Sequence, residues 1–149
     1  MQKAVLNNES GWKTLIARCI NIKDYQRIAI QIVLTLPSPP QYLLNKVMQN
    51  LNETSSDFIK FLCYGNHVPD KTMIQLLKHP DPLIAGYAAI GEWSSDPKGE
   101  VRDSLRNEWR RAIVNFEKEE FWIGEILSKD STLAYEWLKK NISRDRIPY

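Results

Sequence analysis

Three arginines recur four residues apart, at Arg102, Arg106 and Arg110, with Arg111 beside the last. The guanidinium fork matches the geometry of a carboxylate or a phosphate. On a helix, this spacing puts the three on one ridge. That ridge would lie about 100° around the axis from the apolar Val101, Leu105 and Trp109. It suits an acidic peptide or a nucleic-acid backbone. The plainer reading is a solvated face paired locally with Asp103 and Glu108. Trp93 is a second candidate of a different kind. It precedes Ser94-Ser95-Asp96-Pro97 at an expected helix end, where a partly exposed indole would anchor an interface. The candidate binding residues are therefore Arg102, Arg106, Arg110, Arg111 and Trp93.

Signals for catalysis are weak by comparison. Cys63 and His67 are four apart, but Gly65 and Asn66 should end the helix between them. No Cys or His pair has a zinc-like spacing. Glu117, Glu119, Glu120 and Glu125 cluster, yet the first three fall at a helix start, where the dipole favours acids. The six glycines are isolated, so no phosphate loop forms, and no Gly-x-Ser-x-Gly occurs. The expectation is a protein that is not an enzyme and uses no metal or cofactor.

Composition agrees with an ordinary globular domain. The 149 residues are 43% hydrophobic and 26% charged, with a formal net charge of +2. Such a charge does not by itself indicate a nucleic-acid or membrane partner. Cys19 and Cys63 without a leader-like segment read as reduced thiols in a cytoplasmic protein. The apolar run near Ile28–Leu36 is far too short to span a bilayer.

The elements that must position these residues are helices. Apolar residues recur at i, i+3, i+4 and i+7 nearly throughout, as in Trp12, Leu15, Ile16 and Cys19, or Tyr25, Ile28, Ala29, Ile32 and Leu36. No period-2 alternation appears. Breaks supply starting signals: Ser38-Pro39-Pro40, Asp81-Pro82, Asp96-Pro97, Thr54 with Asp57, and Asp130 or Ser131. The pattern predicts nine helices near 9–20, 24–36, 39–51, 55–64, 69–78, 81–94, 99–116, 119–128 and 131–142. Trp12, Trp109 and Trp137 fall on apolar stripes and should be core. Gly86 and Gly91, inside a helix, suggest close helix–helix approach. The residues from Arg144 to Tyr149 read as a frayed end. No linker composition interrupts 1–149, so one domain is expected. First helices of successive pairs start near 24, 55, 81 and 119, inside the window for stacked helical hairpins.

The segment His79-Pro80-Asp81-Pro82-Leu83-Ile84-Ala85-Gly86-Tyr87-Ala88-Ala89-Ile90-Gly91 resembles the first helix of a HEAT repeat, in the armadillo-like superfamily. Ile84 and Ala88 sit at matching positions, whereas Ala85 stands where the family usually has Arg. Gly99-Glu100-Val101-Arg102 carries a Val-Arg pair, but on the expected second helix. The clear likeness covers about 78–116. It implies an all-α, right-handed α-α superhelix, a HEAT-like solenoid of about four helical hairpins plus an N-terminal helix. Such a fold implies a non-catalytic scaffold that binds another protein, and a nucleic-acid backbone on the Arg ridge, with Lys98, is the alternative. Glycosylases and bilin lyases built on such repeats are a third reading, which no motif residue supports. The chain also resembles, more faintly, helical C-terminal regions of large bacterial multidomain proteins.

Overall fold

Helical periodicity becomes helices almost element for element in the computed structural model of the chain, which describes residues 9–95, 100–118 and 120–145. Among these residues there are nine α-helices, two short 3-10 turns and no strand. The Asp96-Pro97 start signal, Lys98, Glu119 and the segment beyond Asp145 lie outside the described residues, as do the side chains of 9, 10 and 143–145. The chain divides into two compact units, 1–51 and 52–149.

The first unit holds α1 (Glu9–Ile20), α2 (Gln26–Thr35) and α3 (Gln41–Asn50), each packed on the other two. Its core includes Trp12, Ile16, Ile20, Val33, Leu34, Leu43, Leu44 and Val47. The Gln26 amide donates to the Ile20 carbonyl at 2.8 Å, satisfying an orphan acceptor at the end of α1. The buried face of α2 differs from the expected one. Ala29, Ile30, Val33 and Leu34 are buried, while Tyr25 and Ile28 are exposed. In Ile28-Ala29-Ile30-Gln31-Ile32-Val33-Leu34 apolar residues occupy nearly every position, so periodicity alone does not choose a face. The Ser38 signal also shifts: α3 starts after Pro40, without a side-chain cap.

The second unit holds α4 (Ser56–Cys63), α5 (Asp70–Leu77), α6 (Pro82–Ser94), α7 (Arg106–Val114), α8 (Phe121–Ser128) and α9 (Ser131–Asp145). Here α4 packs on α6, α5 on both α6 and α7, and α7 on α9, which also meets α8. Thus the first helices α4 and α6 touch, and the second helices α5, α7 and α9 touch in succession.

Local chemistry sets the boundaries. Asp81 caps α6 by accepting from the Leu83 N–H at 2.9 Å, with Pro82 at the first helical position, where its missing N–H costs nothing. Asp130 caps α9 through the Leu133 N–H at 3.1 Å. Ahead of α4 the cap is Asn52, paired reciprocally with Ser55, rather than Thr54 with Asp57. Gly65 and Asn66 take positive φ, 85° and 60°, and turn the chain after α4. Such a conformation is free of strain for Gly.

The tightest packing is around α6, whose residues from Ile84 to Trp93 are all buried. A Cβ on Gly91 would stand 2.3 Å from the Lys60 carbonyl oxygen and 2.9 Å from the Cys63 Cβ. On Gly86 it would stand 1.9 Å from Cδ2 of Phe116, which is fully buried. Both glycines therefore let another segment reach the α6 backbone. Three hydrogen bonds tie this region to its neighbours. The Trp109 Nε1–H donates to the Ala89 carbonyl at 2.9 Å. The Ser95 hydroxyl donates to the Cys63 carbonyl at 3.1 Å and accepts from the Gly65 N–H at 2.8 Å.

In an open helix, Gly→Ala gains roughly 1 kcal/mol. At Gly91 the sign should reverse, with Gly91→Ala costing about 1–3 kcal/mol because the obstructing atom is backbone. Urea unfolding decides this, and a stabilised variant would refute the close α4–α6 approach.

Candidate functional site

The four arginines do not share a ridge, because the expected helix over 99–116 is shorter. Val101 and Arg102 precede a 3-10 turn, Asp103–Leu105, and α7 begins only at Arg106. The interruption has a local cause. Arg102 has extended backbone (φ −53°, ψ 133°), and its side chain reaches back to α5 and α6 rather than along a helix.

Arg102 meets a carboxylate that has no counterpart among the sequence candidates. Glu92, near the end of α6, is 1% exposed. Arg102 Nε donates to Glu92 Oε1 at 2.6 Å, and Nη2 to Oε2 at 2.9 Å. The same guanidinium donates through Nη1 to Asp70 Oδ1 at 2.5 Å and through Nη2 to the Val68 carbonyl at 2.9 Å. Ser104 also donates to Asp70. One side chain thus links the 100–105 segment, α6 and the start of α5. Burial alone would lower the Arg102 pKa. The Glu92 hydrogen bond and charge, with Asp70, outweigh it and raise the value. Cys63 lies nearby and fully buried. Desolvation pushes its thiol far above the ordinary range, with Glu92's charge adding and Arg102's opposing. A thiol so held stays protonated and inert, so Cys63 is a packing residue. Glu92 was legible only as an acid on an otherwise apolar helix, Ala88-Ala89-Ile90-Gly91-Glu92-Trp93.

The remaining arginines have separate partners. Arg106 is exposed and pairs with Asp103 at 2.8 Å. Arg110 joins α7 to α9, at 2.8 Å from Asp130 and 3.7 Å from Glu136. The Leu133 N–H first, and Arg110 after it, hold the Asp130 carboxyl below its usual value despite some desolvation. Arg111 is exposed and lines a cleft of about 250 Å³ with Lys78, His79, Glu108 and Glu117. Both charge signs face that cleft.

The tryptophans divide differently from expectation. Trp12 and Trp109 are core, at 7% exposure each. Trp137 is half-buried, its Nε1–H donating to the Phe116 carbonyl at 2.9 Å. Trp93, the expected anchor, is only 8% exposed, because the Trp122 ring stands 6.3 Å from it and the Lys129 ammonium lies 5.1 Å from its centre. Beside it two aromatics are accessible, Phe121 at 69% and Trp122 at 39%, edge to face at 5.2 Å. They open α8, where Glu120 caps the helix by accepting from the Trp122 N–H at 2.7 Å. Beside them, between α8 and α9, runs a groove of about 430 Å³ lined by Glu120, Phe121, Ile123, Gly124, Glu125, Leu127 and Trp137. The sequence signal was the adjacent pair Phe121-Trp122, where one ring must face outward.

Among the described residues, no three His, Cys, Asp or Glu side chains gather as metal ligands, and no helix is long and apolar enough to cross a membrane. No protein-family model matches the chain, and comparison with curated proteins and with solved structures returns no match.

Arg102→Ala strands Glu92 without its partner and should cost about 3 kcal/mol, the low end for breaking a buried pair, since the arginine is a quarter open to water. Adding Glu92→Leu should recover much of that loss in a double-mutant cycle. A loss under about 0.5 kcal/mol, the scale of a surface pair, would show that the cluster does not hold the segment. Asp130 carries a pH dependence. Its folded pKa is depressed, so its stabilisation is present above the unfolded value and fades as pH falls through the folded one. The stability gap between the parent and Asp130→Asn should therefore be full near neutrality and shrink below about pH 4. A gap unchanged in acid would rule this contribution out.

Proposed function

We propose that the chain is a non-catalytic, HEAT-like helical repeat scaffold that binds another protein. Within 52–149, the stacking of first helix on first and second on second supports the repeat reading. Repeats stacked in this way coil into a right-handed superhelix, and a cytoplasmic setting suits the two free thiols.

The observation that carries binding is the exposed, contacting Phe121-Trp122 pair, of which Phe121 lines the α8–α9 groove. Large aromatic side chains are the residue types most enriched at interface centres. These two rest on a supported base, since Trp122 packs on buried Trp93 and Phe121 on Trp122. A rigid, pre-placed aromatic loses little entropy when a partner covers it. The partner surface is therefore Phe121 and Trp122, with Trp93 beneath them, in place of the arginine ridge.

The arrangement of the arginines favours a protein over a nucleic-acid backbone. Arg102, Arg106 and Arg110 each meet a carboxylate, so their charges are offset locally. A phosphate would have to displace those partners.

The test is a tagged pull-down from nuclease-treated lysate, read by quantitative mass spectrometry, beside Phe121→Ser and Trp122→Ala variants. Proteins held by the parent should fall about tenfold or more with the variants, the scale of an interface hot spot. A retained set that vanishes with nuclease, or one indifferent to both substitutions, would sink the reading. Circular dichroism confirms that each variant is folded.

A further inference from the structure

Resting on that reading, we infer that the α8–α9 groove takes a basic, amphipathic segment of the partner, whose bulky apolar side chain seats over Gly124 while flanking Lys or Arg side chains meet Glu120 and Glu125. Gly124 is the residue that its own helix does not explain. Within a helix, Gly is the least favourable residue after Pro. Gly86 and Gly91 have an evident reason for that cost, because a Cβ at either would collide with Phe116 or Lys60. Gly124 has no such reason: a Cβ built there meets nothing within 4 Å. The packing of the described residues does not ask for a glycine at this point. Gly124 lies in the groove lining, and a side chain there would project into open space that a partner could otherwise occupy.

The lining identifies the occupant. Phe121, Ile123, Leu127 and Trp137 are apolar, and Glu120 and Glu125 are the charged residues among the described lining. An apolar anchor would take exposed Phe121 and half-buried Leu127 and Trp137 out of water. The carboxylates lose hydration as the groove is covered, so a neutral or acidic occupant leaves them uncompensated. Glu120 already accepts from the Trp122 N–H, which keeps its carboxylate at the groove mouth. Lys129 lies over the Trp93 ring. Arg110 is held by Asp130 and Glu136, and Lys140 by Asn115. Positive charge on the partner complements Glu120 and Glu125. Groove and charge together describe an apolar face bordered by Lys or Arg, the helix-in-groove mode of recognition.

The probe is a displayed library of random peptides, selected on the whole chain. The enriched peptides should pair a large apolar residue with Lys or Arg, and their binding should weaken as salt rises. Gly124→Leu should weaken them about tenfold or more by filling the groove, while leaving the melting temperature unchanged or higher. Glu125→Lys should weaken basic peptides and admit acidic ones. Enriched peptides that lose affinity with Phe121→Ser but lack basic residues, or ignore Glu125→Lys, would overturn the charge assignment and leave protein binding standing. Peptides indifferent to Gly124→Leu would overturn the seat over Gly124. A selection yielding nothing that depends on Phe121 or Trp122 would remove the binding reading itself.

Discussion

A carboxylate at 1% exposure has to be answered where it stands, and Glu92 is answered by Arg102, beyond the end of its own helix. The path of the chain from α6 into α7 follows from that. The fork of Arg102 must lie in the plane of the Glu92 carboxylate to make two bonds, which fixes the backbone that carries it. Its other contacts reach Asp70 and Val68, so the start of α5 is placed by the same group. Replacing such a pair with matched hydrophobes is often neutral for stability. Its contribution here is to location: several apolar packings of the 100–105 segment are conceivable, but one satisfies Glu92.

The same interaction explains why the expected arginine ridge does not form. Val101, Leu105 and Trp109 keep helical spacing, and all three are buried as that spacing expects. Spacing does not distinguish a continuous helix from an extended approach followed by a 3-10 turn. Leu105 and Trp109 share a face either way, and Val101 is buried beside the Arg102 contact. The ridge extrapolates that helix by one turn. Arg102 leaves it because a charge-assisted bond to a buried acid outweighs one more turn of helix. That acid lies on another helix and carries no motif, so local patterns are silent about it.

Elsewhere local signals carry further. Asp81-Pro82 and Asp130 start α6 and α9 because capping depends only on neighbouring residues. The glycines of α6 point to close packing, since a helix seldom keeps Gly without a steric reason. Spacing did not choose the buried face of α2, where nearly every position is apolar, and it did not settle the tryptophans. Trp93 was legible as an aromatic at a helix end. Its burial depends on Trp122 arriving from α8, far along the chain.

The glycines inside helices of the second unit, Gly86, Gly91 and Gly124, then separate into two kinds of constraint. Gly86 and Gly91 are constrained by the fold, since Phe116 and the Lys60 carbonyl occupy the space of a side chain. At Gly124 no atom of the described residues stands within 4 Å of a Cβ, and the residue lines the groove between α8 and α9. Substitution should therefore act on different quantities. At α6 a methyl group opposes folding, because the obstruction is internal. At α8 a side chain favours the helix, and opposes only what lies outside the chain. A residue that weakens its own helix while leaving open space is what the proposed occupant of the groove would account for. The exposed Phe121 and Trp122 and the two carboxylates at the same groove describe that occupant's chemistry.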